Sequence, residues 1–243
     1  MKNMQRMGGI AALIGAATNL LGIVVFVTLL APKGLDFTNS DPSGTVALLA
    51  DNQAAMRLWY QIIYLAFGLC LIFLSVALYE RLKAGSPMLA QVVTTFTLIW
   101  AVLVMVIGTL SINDLNTVVR LFGQNPAQAA TVWLTLGTVE TGLGAGGGET
   151  MVSALWFLLL GWASLRIGEF PRLLNYLGLA IGLVGVLSVV LASANLMSVY
   201  GLGLIIWFVW LGIVMMRSSG KETERPAESV DQKARGEISV SRQ

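Results

Sequence analysis

The chain contains no histidine, a single cysteine and few charges: Asp, Glu, Lys and Arg together make up 12% of its 243 residues. Without histidine there can be no His-ligated haem or zinc and no imidazole base. With Cys70 alone, in the apolar stretch FGLCLIF, no disulfide can close within the chain and no CxxC redox pair exists. A small buried hydrophobe is the role its neighbours suggest. The sequence gives no reason to expect a metal or any other cofactor. Acid or base chemistry would fall to Asp, Glu, Tyr or Lys.

What fills the chain is apolar residues, 56% of the total, at a mean hydropathy of +0.77. Such a composition leaves too few charges to cover a water-soluble domain of this length. It suits segments of about 20 residues that cross a bilayer. The net charge of +2 is small, and the basic residues sit at the ends of apolar runs without forming a patch. Nucleic acid is therefore not an expected partner, whereas the lipid bilayer is.

Six spanning helices are expected, over about 8–31, 58–79, 88–110, 148–165, 173–194 and 199–216. The first run is too long for the apolar region of a signal peptide and no A-x-A cleavage motif follows it, so it is read as a span. Ser40, Asp41 and Pro42 signal the start of a short surface helix reaching about Gln53. The stretch SINDLNTVVRLFGQNP after the third span reads as a polar connection ending in an Asn-Pro break. Residues 218–243 are mixed in charge and poor in apolar residues, the composition of a disordered tail.

Pro126 to Val139 is ambiguous. Val132, Leu136, Val139 and Leu143 fall on one helical side and Thr131, Thr135 and Thr138 on another, which favours an amphipathic interfacial or re-entrant helix. Charge placement tests this independently. With six spans and a cytoplasmic N-terminus, twelve of the fifteen Lys and Arg residues lie inside, and only Lys33, Arg57 and Arg120 lie outside. A seventh span would reverse everything after it and leave four inside, against the positive-inside rule. The expected fold is thus all-α: a polytopic membrane bundle of six transmembrane helices with an additional extracytoplasmic amphipathic or re-entrant helix, both termini cytoplasmic.

Close-packing seams are expected at Gly15, Asn19 and Gly22, with one interhelical hydrogen bond from Asn19, and at Gly178, Gly182 and Gly185, an extended GxxxG. The residues with the clearest functional interest surround the glycine run TGLGAGGGETMVSALW, which delivers Glu149 to the head of the fourth span. An ionisable group in a spanning helix is a functional candidate by default. Glu149, Ser153 and Trp156 share a helical face, and Gln61, Tyr64 and Asp114 are expected near the same outer side. Two roles stay open for Glu149. It can cap its helix, or pair with Arg57 or Arg120; or it can serve as an ion, proton or ligand contact in an outward-facing cavity. Catalysis by Glu149 with Asp114 or Glu140 lacks a metal cluster, an activated nucleophile or a second carboxylate evidently buried beside it. The glycine run is not a phosphate loop, since no strand precedes it and no Lys-Ser or Lys-Thr follows.

GGGE at Gly146 to Glu149, Leu155-Trp156, FPRLLNYLG from Phe170 to Gly178 and GLGLIIWFVWLGIVMMR from Gly201 to Arg217 together resemble a bacterial multi-pass membrane family catalogued as domain of unknown function 4386. The resemblance covers roughly Met7 to Arg217. It implies the six-helix topology and a bacterial plasma membrane, and it implies no activity, substrate or catalytic residue. Two functions are carried forward: a structural or accessory membrane component, in which a free seam would receive a second copy or a membrane protein partner, and small-molecule or ion binding or transport near Glu149.

Overall fold

In the computed structural model, which describes residues 2–33, 35 and 41–217, six helical segments are long and apolar enough to cross a membrane. No strand occurs among the described residues. The expectation for residues 218–243 lies outside the described residues, as does the Ser40 part of the helix-start signal.

Helix α1 (Lys2–Val25) continues through a π-helical turn at Phe26–Leu30. Helix α2 (Pro42–Asp51) is short and is capped by Asp41, whose Oδ1 accepts from the Gly44 amide at 2.9 Å. Helices α3 (Gln53–Tyr60) and α4 (Phe67–Leu82) form one span joined by a second π turn at Gln61–Ala66. Helix α5 (Pro87–Phe122) is followed by α6 (Pro126–Leu143), α7 (Gly148–Ile167), α8 (Arg172–Val190) and α9, described from Ala194 to Arg217.

Helix α5 corrects the expected boundary at residue 110. SINDLNTVVRLF does not leave the helix but prolongs it to Phe122. The reason lies in the register: Ile107, Ser111, Asp114, Leu115 and Val118 keep a buried face at helical spacing while the polar residues between them point outward. At 36 residues α5 is about 54 Å long, well beyond the ~30 Å of a hydrocarbon core. The helix yields only at Gly123 and at Asn125-Pro126, where Asn125 Oδ1 caps α6 through the Gln128 amide at 3.2 Å.

The length of α5 divides the molecule into two cores. The larger gathers Phe67, Trp100, Trp156, Phe157, Trp207 and Phe208 from α4, α5, α7 and α9. The smaller, around the C-terminal half of α5, is built from Val46 and Leu49 of α2, Met56 and Tyr60 of α3, Leu115 and Val118 of α5, and Ala129 and Trp133 of α6.

Helix α6 buries only part of the expected apolar stripe: Val132 and Leu136 pack against the smaller core. Val139 and Leu143 are exposed, and the inward positions are Ala129, Ala130, Trp133 and, seven residues on, the half-buried Glu140. Two alanines let the helix approach closely and one tryptophan fills the gap. The threonines face outward, where Thr131, Thr135 and Thr138 donate back to the helix's own carbonyls at 2.7–3.1 Å.

The glycine seams are occupied by neighbouring helices of the same chain. A Cβ at Gly178 would lie 3.0 Å from Trp207 Nε1, one at Gly182 would lie 2.8 Å from the Ala154 carbonyl, and one at Gly185 would lie 2.7 Å from both Ala154 Cβ and the Tyr200 ring. Gly15 faces Phe67, and Gly22 faces Ile63. Asn19, however, donates to Gly15 O of its own helix at 2.9 Å. The interhelical bond at this seam comes from Trp59 Nε1 to Gly22 O at 3.3 Å, because the glycine leaves its carbonyl uncovered.

Candidate functional site

The glycine run after α6 folds into a tight reversal. The Gly147 amide donates to Gly144 O at 2.9 Å and the Gly146 amide to Thr150 Oγ1 at 3.0 Å. Gly146 takes φ +88°, which L side chains rarely adopt. A Cβ at Gly147 would collide with Gly142 O at 2.2 Å. This turn starts α7 with Glu149 in its first turn and aims that carboxylate inward, where Trp100 Nε1 donates to Glu149 Oε1.

Trp100 and Trp156 are both fully buried, at 0% exposure, in an aromatic cluster with Phe67, Phe157 and Phe208, their ring centroids 5.0–6.4 Å apart. The polar atoms inside this cluster are matched one to one. Trp156 Nε1 donates to Thr97 Oγ1 at 2.7 Å, Tyr200 OH to Ser153 Oγ at 2.6 Å, Ser153 Oγ to Thr150 O at 3.0 Å, and Trp207 Nε1 to Leu174 O at 3.1 Å. Glu149, Ser153 and Trp156 thus share an inward face, each engaged by another helix. The arginines considered as partners of Glu149 lie elsewhere: Arg57 donates to Asn116 Oδ1, and Arg120 is exposed.

A second acidic position lies further along α5. Asp114, 7% exposed, and Glu140 of α6 face each other at close range, with Ser111 beside Glu140. Tyr60 and Tyr64, their rings stacked 6.2 Å apart, stand within electrostatic reach of Glu140. Tyr64 is also within electrostatic range of Glu149. It packs on Gly108 of α5, where a Cβ would meet Tyr64 Cβ at 2.4 Å. Gln61, three residues earlier, is exposed and does not join them. Neither Asp114 nor Glu140 takes part in an ion pair among the described residues.

The end of the molecule that holds this pair also holds unmet hydrogen-bonding groups. Glu140 Oε1, Trp133 Nε1 and Thr45 Oγ1 are buried with no hydrogen bond, as are Thr94 Oγ1 and Ser164 Oγ elsewhere. Among the described residues there is no group of three or more His, Cys, Asp or Glu side chains able to hold a metal ion. The arrangement is therefore a carboxylate pair flanked by hydroxyls. Two facing carboxylates with no basic neighbour can be held together by a shared proton or by one small cation.

Sequence reading reached Asp114 and Tyr64 but assigned Glu140 no binding role. The available signal was its spacing, since Glu140 falls seven residues after Trp133 on the face that the alanines mark as close-packed.

Fold and composition define the class: a polytopic, all-α integral membrane protein. The chain belongs to the family described as Domain of unknown function (DUF4386), whose model matches residues 6–214. No curated protein and no solved structure matches it.

Proposed function

We propose that this protein is a membrane component that binds a proton or a small monovalent cation at the Asp114–Glu140 pair, with Tyr60, Tyr64 and Ser111 around it. The observation that carries this reading is the meeting of two carboxylates from different helices in the smaller core, with no basic residue paired to either among the described residues. Taking a charged carboxylate out of water without a compensating partner is costly, so two of them brought together call for a ligand or a shared proton. Glu149 has a sufficient structural role as the acceptor of the Trp100 N–H.

The distribution of Lys and Arg supports an orientation in which the pair lies toward the extracytoplasmic side of a bacterial plasma membrane, with both termini cytoplasmic. Only Lys33, Arg57 and Arg120 lie at that end. A purely accessory role draws no support from the Gly178, Gly182 and Gly185 seam, which is filled by Ala154, Leu158, Tyr200 and Trp207 of the same chain.

The test is the thermal unfolding midpoint of the purified full chain in detergent, measured in sodium, potassium and choline salts and from acid to alkaline buffer. The Asp114→Asn/Glu140→Gln double variant is measured alongside; both changes keep the side-chain shape. The wild-type midpoint should respond to pH, or to sodium or potassium against choline, and the double variant should lose that response. The same response in both proteins would show that the pair is not the site.

A further inference from the structure

At the opposite end of the spans, where α4 turns into α5 beside the last turn of α7, a cleft of about 510 Å³ opens between Ser86, Met88, Leu89, Trp162, Arg166 and the turn at Gly85. We infer that it binds one anionic phospholipid, with the phosphate on Arg166 and the glycerol and acyl region along Trp162, Met88 and Leu89. Three observations carry this. First, the basic residues at this end differ. Arg81 pairs with Glu169, and its guanidinium lies 4.8 Å from the Phe170 ring centroid; Lys83 pairs with Glu80 at 2.7 Å. Arg166 is exposed and has no ion pair among the described residues; its guanidinium lies 5.6 Å from the Trp162 ring centroid. That position beside the indole leaves the guanidinium at the cleft, where an arginine can bind a phosphate through two parallel hydrogen bonds.

Second, the cleft sets apolar side chains beside its polar ones and is open to the surroundings. Met88 is 74% exposed and Trp162 47%, large surfaces that suit an acyl chain and not a dissolved anion. Third, the depth is right. Ser86 caps the start of α5 by accepting from the Leu89 amide at 3.4 Å, and Arg166 lies in the last turn of α7. The cleft therefore sits where spanning helices leave the hydrocarbon, the level at which tryptophan and arginine meet lipid headgroups. A volume of about 510 Å³ also exceeds what a bare phosphate fills.

Native mass spectrometry of the full chain in detergent tests this, with phosphatidylglycerol, phosphatidylcholine and inorganic phosphate as probes. Wild-type protein should retain one phosphatidylglycerol per chain in preference to phosphatidylcholine. Arg166→Gln should weaken that retention roughly tenfold, the loss of one charge-assisted bidentate contact. Arg172→Gln, at the same end but outside the cleft, should leave it unchanged. Should Arg166→Gln fail to fold, Arg166→Lys and Trp162→Leu keep the question open to test, and each should give a smaller but measurable loss. Equal retention by the Arg166 and Arg172 variants would overturn the proposal. Full displacement of the lipid by inorganic phosphate would also overturn it, since the cleft would then be a site for a free anion.

Discussion

The two cores of this molecule are both built on α5 and both centred on tryptophan, yet they treat polar atoms in opposite ways. Around Trp156, the indole and hydroxyl donors of Trp100, Trp156, Trp207 and Tyr200 each find an acceptor on another helix. Around Trp133, the indole N–H, Glu140 Oε1 and Thr45 Oγ1 are buried without one. Lipid tails are as apolar as leucine, so helices in a bilayer gain little from hydrophobic transfer and are held by close packing and completed hydrogen bonds. The aromatic centre of the first core meets both conditions, with only Thr94 Oγ1 and Ser164 Oγ farther along its helices left unmatched, and is the part that holds the bundle together. The second leaves them unmet where two carboxylates face each other, and a site that must exchange a proton or ion needs such unspent hydrogen-bonding capacity.

The comparison is broken most easily by volume. Trp156→Ala empties the centre of the first core and should cost about 3 kcal/mol, within the range for large-to-small aromatic changes; reversible unfolding in mixed detergent measures it. Gly185→Val should follow at about 2 kcal/mol, because a Cβ there already lies 2.7 Å from Ala154 Cβ and the Tyr200 ring and strain of that kind typically costs a few kcal/mol. A loss below a few tenths would mean that α7, α8 and α9 do not meet so closely.

The smallest effects discriminate best. Tyr200→Phe removes the hydroxyl bonded to Ser153 and should cost about 0.6 kcal/mol, the average for interhelical hydrogen bonds in membranes. Trp133→Phe removes an N–H that has no partner and should be neutral within about 0.5 kcal/mol or slightly stabilising. If Trp133→Phe costs more than Tyr200→Phe, the contrast between the cores is wrong.

Much of the architecture was legible in the sequence because its causes are local. Apolar run length gave the six spans, and the count of Lys and Arg kept α6 from being read as a seventh. Two things were not legible. The polarity of SINDLNTVVRLF reads as a loop signal, but outside lipid a helix tolerates such residues as long as Ser111, Asp114, Leu115 and Val118 keep one buried face. On α6 the apolar stripe marks only half of the inward face: Val132 and Leu136 pack against the smaller core, whereas Val139 and Leu143 stay exposed and close packing selects Ala129, Ala130 and Trp133. Glu140 shares the inward side of Ala129, Ala130 and Trp133, a placement that no count of apolar residues singles out.

Infrared difference spectroscopy of the carboxyl C=O stretch in the lipid-reconstituted protein tests the central claim most directly, with the signal recorded on changing pH or exchanging sodium for choline. The account predicts a carboxyl band change that persists in Glu149→Gln and disappears in Asp114→Asn/Glu140→Gln. A band change that survives the double substitution, or one that vanishes with Glu149→Gln alone, would contradict it.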